Sequence, residues 1–341
     1  MAKREKAITI KDVAKAANVS ITTVSRVLNN NLYSVNDETR QRVKAIIEEL
    51  NFVPNAMARG IRFDKTKTIG LIIQDINNPY YPGIVQGVEN TALKLGFSLI
   101  LANAHRSSAR IKQYLELMRE KRVDGLILAG GAIMREPDVL KLYNNGDAPI
   151  VVIGKPATDN PSIQIDNPAA GRMVCEYLLD RGHRNIAMIS GPTNSITAAD
   201  REAGYRAALA DRGLSCHKGW VVRGNFVYEG GRAAVEKLPL EGVDRVTAIF
   251  AQNDLMAIGA INALNERGLR VPEDVSVIGF DDIQLSSYVP PGLTTVHVPF
   301  HEMGKKAMEA LSRMLNSRKV DSVNYMPVHI TVRGTVANIG R

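Results

Sequence analysis

The stretch "TIKDVAKAANVSITTVSRVLNN", residues 9–30, decides the first part of the fold because it contains two helix starts joined by a short connection. Thr9 followed three residues later by Asp12 predicts a capped first helix, and Ser20 is a favourable N-cap for a second. A third start follows at Asn36. Three short helices with a tight turn between the first two predict an all-α helix-turn-helix domain.

The exposed side of the second helix carries the chemistry of a DNA-reading surface. Small hydroxyls can contact base edges and phosphates, and the guanidinium of Arg26 can bond guanine O6 and N7 together. Residues 1–65 hold 12 Lys/Arg and 7 Asp/Glu, so they supply +5 of the chain's net +8, which suggests a polyanion partner. The alternative is a helix bundle that only packs against the rest. The DNA-binding candidates here are Thr9, Ser20, Ile21, Thr22, Thr23, Ser25, Arg26 and Asn29.

The N-terminal sequence resembles the lac/purine repressor (LacI/GalR) family. The resemblance lies in the run D-V-A-x-x-A-x-V-S-x-x-T-V-S-R-V-L-N and in "TRQRVKAIIEELNFVPNAMARGI", residues 39–61. It implies a sequence-specific transcriptional regulator, most often a repressor, that binds a pseudo-palindromic double-stranded DNA operator as a homodimer. The expected parts are a helix-turn-helix domain at 1–53, a hinge segment at 54–66, and an effector-binding and dimerisation domain at 67–341.

The hinge segment is short, basic and frail. A helix of this length that contains Gly60 is not expected to be stable alone in water. The resemblance implies that paired hinge helices fold in the DNA minor groove and push an apolar side chain between base pairs. Ile61 stands where the family usually has Leu, and Asn55 and Arg59 complete the candidates. An ordinary flexible linker is the alternative.

The remainder of the chain alternates short Val/Ile-rich runs with helical stretches, in two series that divide near residue 166. Such a pattern predicts parallel sheets covered by helices on both faces. The predicted fold is an α/β two-lobed body, similar to periplasmic binding proteins, with two doubly wound parallel sheets. The N-lobe is expected at about 67–166 plus part of 296–330, and the C-lobe at about 167–295 plus the terminal segment.

A ligand site is expected between the lobes because ligands in open α/β sheets bind outside the carboxyl ends of strands. Aromatic and polar side chains follow several predicted strands, a combination that suits a polyhydroxylated ligand. The segments "AADREAGYRAAL", "FAQNDLMAIGAINAL" and "VIGFDD" resemble the family's effector segments. The effector candidates are Asp75, Tyr80, Tyr81, Lys155, Arg201, Phe226, Asn253 and Asp281.

The sequence leaves the effector and several side-chain roles open. A sugar or sugar derivative is the expected effector, because that class is commonest in the family. A nucleobase, or control by a protein partner, is the alternative. Asp281 could instead cap the next helix, Arg201 could form a surface ion pair, and Phe226 could belong to the core.

Other classes of protein are disfavoured. No G-x-G-x-x-G follows a strand, and no P-loop, G-x-S-x-G or H-E-x-x-H occurs, so an enzyme is not expected. Pro299 separates His297 from His301, and we expect neither a metal nor a cofactor. A transport protein of this fold should carry a signal peptide and lack the N-terminal helices.

The sequence also predicts the compartment and the oligomeric state of the protein. Cys175 and Cys216 lie far apart and outside any C-x-x-C spacing, and no apolar run is long enough to span a membrane, so a cytoplasmic protein is expected. The residues after Arg333 show no apolar heptads, which favours a dimer over a tetramer.

Overall fold

The computed structural model describes residues 8–28, 35–52, 65–130, 148–156 and 158–340. The chain divides into two compact units, residues 1–66 and 67–341. Among the described residues, no helix combines the length and the apolar character needed to cross a bilayer.

Among its described residues, the first unit contains three helices, α1 Ile10–Ala16, α2 Ile21–Leu28 and α3 Asp37–Glu49. Each begins at the predicted cap: the Thr9 N–H donates to Asp12 Oδ2 at 2.8 Å, the Thr23 N–H to Ser20 Oγ at 3.1 Å, and the Thr39 N–H to Asn36 Oδ1 at 2.9 Å. The helices enclose a small core. Its buried members are Val13, Ala14, Ala17, Val24, Val27, Val43 and Phe52. The predicted helix-turn-helix domain is confirmed.

The second unit begins with a six-stranded parallel sheet, which we call the first lobe. Its strands lie in the order β2-β1-β3-β4-β5-β11. Helices on both faces cover it, and most of its central side chains are fully buried. The strands are β1 Thr68–Ile73, β2 Ser98–Asn103, β3 Gly125–Ala129, β4 Ile150–Ile153, β5 Ser162–Gln164 and β11 Val323–Tyr325; the helices are α4 Tyr80–Lys94, α5 Ser108–Glu120 and α10 Phe300–Leu315.

A four-stranded parallel sheet forms the second lobe, with the strand order β7-β6-β8-β9. Its strands are β6 Ile186–Ser190, β7 Val221–Arg223, β8 Ala248–Ala251 and β9 Ser276–Ile278, and its helices are α6 Asn167–Leu179, α7 Ile196–Asp211, α8 Tyr228–Val235 and α9 Asp254–Glu266. An antiparallel pair, β10 Thr295–His297 with β12 His329–Thr331, lies outside the two sheets. The predicted body with two doubly wound parallel sheets is confirmed.

In both parallel sheets, the order in which strands are added reverses after the first two strands, so that the third strand joins on the other side of the first. In the first lobe β1 lies between β2 and β3, and in the second lobe β6 lies between β7 and β8. Loops that leave the two central strands of such a sheet diverge to opposite faces, and this opens a crevice at their carboxyl ends. The residues that follow β1, β3, β6 and β8 are therefore the ones placed to contact a ligand.

Candidate functional sites

Helix α2 presents a polar face opposite its buried one. Val24 and Val27 are buried, whereas Ile21 is 41% exposed and Thr22 and Arg26 are also exposed. This division follows from the helical period, which places positions three apart on the same side. The face has the size and chemistry to contact base edges in a major groove.

Three of the candidate hydroxyls serve the helix ends. Ser20 Oγ caps α2 and lies 2.9 Å from Thr23 Oγ1, and Thr9 Oγ1 donates to Asp12 Oδ2 at 2.7 Å. Ser25, in α2, is half-buried. The remaining candidates Asn29, Asn55, Arg59 and Ile61 lie outside the described residues, as does most of the predicted hinge.

In the second lobe, Arg201 is a buried residue of α7 rather than a surface ion-pair partner. Its side chain is 5% exposed; Nε donates to Asn167 Oδ1 at 2.9 Å, and Nη1 donates to the Gln252 carbonyl oxygen at 2.5 Å. The guanidinium carbon lies 3.4 Å from the centroid of the Phe280 ring. Burial lowers the pKa of Arg201 to about 10, with the charge of Asp281 opposing the change. The guanidinium is thus a buried cation at neutral pH.

The position of Arg201 depends on a close helix crossing. A Cβ added at Gly171 of α6 would overlap the Arg201 carbonyl oxygen, and one added at Gly204 of α7 would overlap the Pro168 carbonyl oxygen. Two glycines therefore let the backbones of α6 and α7 approach to contact distance. This approach brings Arg201 beneath the end of β8.

Asp281 follows β9 and is only 5% exposed. Its φ is +124° and that of Asp282 is +59°, backbone conformations that are uncommon for residues other than glycine. No hydrogen bond to its carboxyl group is found among the described residues. Burial raises the pKa of Asp281 well above its ordinary value, and the Asp254 carboxyl raises it further, while Arg201 opposes the change. No helix begins at Asp281, so its interpretation as a helix cap is wrong.

Asp254 holds the turn that carries Asp281. Its fully buried carboxyl group accepts hydrogen bonds from Thr295 Oγ1 at 2.5 Å, Ser286 Oγ at 2.6 Å and the Ile283 N–H at 2.9 Å. Burial raises the pKa of Asp254 to about 6, although these hydrogen bonds favour the ionised form. One carboxyl group therefore ties α9, the 281–286 turn and β10 together.

Phe226 and Asn253 are joined directly. Asn253 caps α9 by accepting from the Met256 N–H at 3.1 Å, and its Nδ2 donates to the Phe226 carbonyl oxygen at 3.0 Å. Phe226 has φ of +63°, and its half-buried ring lies against Gly191, where an added Cβ would overlap the ring. The ring therefore lies over the end of β6 and packs only partly into the core.

The first lobe contributes aromatic side chains. The rings of Tyr80 and Tyr81 meet edge to face with centroids 4.9 Å apart, and Tyr80 meets Phe300 in the same way at 4.6 Å. Burial raises the pKa of Tyr80, with a further rise from Asp281 and an opposing effect of Arg201. Tyr80 therefore lies between its neighbour Tyr81 and Phe300 of α10 in a cluster of three aromatic rings.

Two polar contacts cross between the lobes. Lys155 Nζ lies 3.0 Å from Asp200 Oδ2, next to Arg201 in sequence. Arg106 Nη1 donates to the Asn225 carbonyl oxygen at 3.0 Å. The remaining candidate, Asp75, accepts from the Asn77 N–H at 3.1 Å, and its Oδ2 lies 3.9 Å from Arg106 Nε. The structure thus arranges all eight candidates around the facing ends of the two sheets.

Several residues at these strand ends are absent from the sequence-based candidates. They are Gln74, Arg106, Gln252, Asp254, Phe280 and Phe300. Gln74 directly follows β1 and Gln252 directly follows β8, so the rule that located the other candidates could also have found these two. Phe300 and Arg106 become visible only through their contacts with Tyr80 and Asn225.

The histidine pair does not share a helical face. His297 lies on β10 and its Nδ1 is 2.9 Å from Asp282 Oδ2, whereas His301 lies in α10 and its Nε2 is 3.4 Å from Asn90 Nδ2. Within the part of the chain that the structure describes, no group of three or more His, Cys, Asp or Glu side chains is arranged to hold a metal ion.

Models of known protein families match the sequences of both units. The model described as "Bacterial regulatory proteins, lacI family" matches residues 9–55, and that described as "Periplasmic binding proteins and sugar binding domain of LacI family" matches residues 66–331. The chain is 41% identical over 319 residues to the HTH-type transcriptional repressor PurR of Erwinia tasmaniensis, covering 92% of both chains. It is 38% identical over 337 residues to PurR of Aliivibrio fischeri, covering 97% of this chain and 98% of that one.

Solved structures give the same assignment. The lac repressor dimer bound to operator and the anti-inducer ONPF is 29% identical and matches with a TM-score of 0.87, covering 97% of this chain and 100% of that one. The CelR–cellobiose complex is 32% identical with a TM-score of 0.73, covering 96% and 99%. These relatives are regulators of transcription and not enzymes. The chain therefore belongs to the LacI family and is a DNA-binding transcriptional repressor of that family.

Proposed function

We propose that operator binding by this repressor is controlled by a purine-type nucleobase held between the two lobes. The observation that carries the proposal is the contact between the lobes beside the buried Arg201, where Lys155 Nζ lies 3.0 Å from Asp200 Oδ2. Support also comes from the relatives named PurR, a name that points to purines.

The chemistry of these residues suits a flat heterocycle. Phe226 and Phe300 offer aromatic surface, Arg201 offers hydrogen-bond donors, and the unpaired carboxyl of Asp281 can accept from a ring N–H. A base has both an apolar face and a polar edge, so it can use the two kinds of group together. Lys155 and Asp75, farther out in the same set, are proposed to contact the effector or to help close the lobes over it.

The expected carbohydrate effector is less well supported than this alternative. The PurR relatives favour a nucleobase, whereas the CelR–cellobiose complex, at 32% identity, keeps a sugar as the second candidate. The binding experiment below therefore includes both small-molecule classes.

We further propose that the repressor works as a dimer in which α2 reads the operator and residues 54–66 fold in its minor groove. Exposed leucines occur on the edge strand β2 of the first lobe, on α5, and on and just after α4; they are Leu93, Leu95, Leu101 and Leu117. An apolar sheet edge of this kind is typically covered by a partner. Leu101→Glu should give a monomer in sedimentation velocity, whereas Val243→Glu, at a position 98% exposed in the second lobe, should leave the dimer intact.

Isothermal titration calorimetry with hypoxanthine, guanine, adenine and cellobiose tests the effector class. One of the purines should bind, and Asp281→Asn should weaken binding at least about tenfold because it alters the buried acceptor. The matched control is Asp274→Asn, which changes a surface acid paired with Arg270 at 2.9 Å in the same lobe. Binding of cellobiose alone, or equal affinities for the two variants, would contradict the proposal.

A further inference from the structure

Gln74 has a buried amide group that is only half satisfied. Its Oε1 accepts a hydrogen bond from the Tyr81 hydroxyl at 3.1 Å. Its Nε2 is buried and has no hydrogen-bond partner; among the described residues only one other buried side-chain atom, the hydroxyl oxygen of Tyr177, shares this condition. Buried polar groups are nearly always paired in folded proteins, so each exception needs a reason.

The position of Gln74 supplies such a reason. It is the first residue after β1, at the point where the first sheet reverses its strand order, which is where ligands bind in sheets of this type. At the adjacent end of β3, a Cβ added at Gly130 would lie 2.7 Å from both Gln74 Cγ and the Tyr81 hydroxyl oxygen. The absence of a side chain at Gly130 therefore leaves room for the Gln74–Tyr81 pair at this edge.

The pair lies beside a contact between the two lobes. The Gln74 carbonyl oxygen accepts from the Arg106 N–H at 2.9 Å, and Arg106 Nη1 donates at 3.0 Å to the carbonyl oxygen of Asn225 in the second lobe, next to Phe226. The two lobes thus present complementary unpaired groups, a donor at Gln74 Nε2 and an acceptor at the Asp281 carboxyl group.

We propose that Gln74 is a specificity-determining residue whose Nε2 donates a hydrogen bond to an acceptor atom on the effector. This inference rests on the proposed effector site. A site that donates at this point should prefer a purine with a ring carbonyl over one with an amine at the same position, because the amine would leave the Gln74 donor unpaired. Hypoxanthine and adenine are a matched pair of probes, since they share the purine ring and differ at that position.

The test uses the same substitution at two buried glutamines. Gln74→Met removes the unpaired donor together with the oxygen that accepts from the Tyr81 hydroxyl, whereas Gln164→Met removes a donor that is already paired with Ser162 Oγ at 2.7 Å on β5. For Gln74→Met, we expect the Kd for hypoxanthine to rise at least about tenfold and the preference over adenine to fall. The Tm without ligand should fall by no more than in Tyr81→Phe, which loses the same hydrogen bond. For Gln164→Met, we expect the Tm to fall and the Kd to stay within about twofold of that of the unaltered protein.

Either half of this pattern can overturn the proposal. Unchanged hypoxanthine affinity in Gln74→Met, or a stronger preference of the unaltered protein for adenine, would exclude a donor role for Gln74. A fall in Tm clearly larger than that of Tyr81→Phe would assign Gln74 a structural role even if no base bound. Failure of every purine to bind the unaltered protein would instead contradict the proposed effector class, and the ligand-free Tm comparison would still decide the role of Gln74.

Discussion

The two lobes share a strand order but treat the polar side chains at their strand ends differently. In the second lobe, Arg201 makes two hydrogen bonds and Asp254 accepts three, all within the lobe. In the first lobe, Gln74 leaves a donor unpaired and the Tyr81 hydroxyl is bonded only to it. We propose that the second lobe is largely preorganised, with Asp281 as its unpaired group, and that the proposed effector would complete the first lobe's part of the site. Preorganisation of one side lowers the entropy that binding must overcome.

Among substitutions that test this difference between the lobes, replacement of Arg201 should lower the free energy of unfolding most. Arg201→Met removes two hydrogen bonds and leaves Asp281 without the cation that opposes its protonation, so the free energy of unfolding should fall by about 3–5 kcal/mol. The matched control on the same helix is Arg206→Met, a half-exposed ion-pair partner of Glu202 that should cost less than about 1 kcal/mol. Urea unfolding measures both, and equal losses would show that Arg201 is not part of a preorganised network.

A smaller loss is expected at Asp254. Asp254→Ala leaves three buried donors unpaired, on Ile283, Ser286 and Thr295, and should lower the free energy of unfolding by about 2–4 kcal/mol. Asp274→Ala, at the surface of the same lobe, provides the comparison. Melting curves of the two variants should differ clearly; overlap of the curves would mean that the 281–286 turn does not depend on Asp254.

The second lobe should also lose stability in mild acid through His183. This buried ring lies between Thr247 Oγ1 at 3.1 Å and the Ala337 carbonyl oxygen at 3.2 Å, and burial lowers its pKa, with Arg181 acting in the same direction. The folded state therefore favours neutral His183, and the stability it contributes is present above its ordinary pKa and lost as the pH falls below it. The slope cannot exceed about 1.4 kcal/mol per pH unit for one proton.

Urea unfolding between pH 8 and pH 5 tests this expectation with His183→Gln as the reference, since glutamine can pair with the same groups without titrating. As the pH falls, the free energy of unfolding of the unaltered protein should decrease more than that of His183→Gln. A difference that is constant across this range would show that His183 does not titrate with folding.

The smallest expected stability losses are those from removing the hydroxyl groups of two tyrosines, one in each lobe. Tyr205→Phe in the second lobe deprives the Ile186 carbonyl oxygen of a hydroxyl at 2.7 Å and should cost about 1 kcal/mol. Tyr81→Phe in the first lobe removes only the 3.1 Å bond to Gln74 and should cost less. Thermal unfolding of the ligand-free variants ranks them, and a larger loss for Tyr81→Phe would reverse the assignment of the two lobes.

Much of this architecture is predictable from the sequence, because it depends on local signals. Continuous apolar runs mark the strands, Thr9, Ser20 and Asn36 mark helix starts, and the rule that ligands bind at strand ends locates Arg201 and Asp281. These features depend on periodicity, capping and position along the chain, all of which can be read without knowing tertiary contacts.

Contacts between distant segments could not be predicted in this way. Asp254 meets Thr295, 41 residues away, and Arg106 meets Asn225, 119 residues away. The pairing of β11 with β5 joins Val323 to Ser162. No local pattern specifies such partners, because they depend on how the whole sheet is assembled. For the same reason, the unpaired state of Gln74 is visible only in the folded structure.

The most direct test asks whether a ligand bound between the lobes changes the affinity of the protein for operator DNA. Duplexes selected by the protein from a random library should contain two half-sites in inverted order, and fluorescence anisotropy then gives the operator Kd with and without saturating hypoxanthine. The account predicts a change of about fivefold or more in the unaltered protein and no change in Asp281→Asn. An operator Kd that is the same with and without a base shown to bind the protein would contradict control through the cleft.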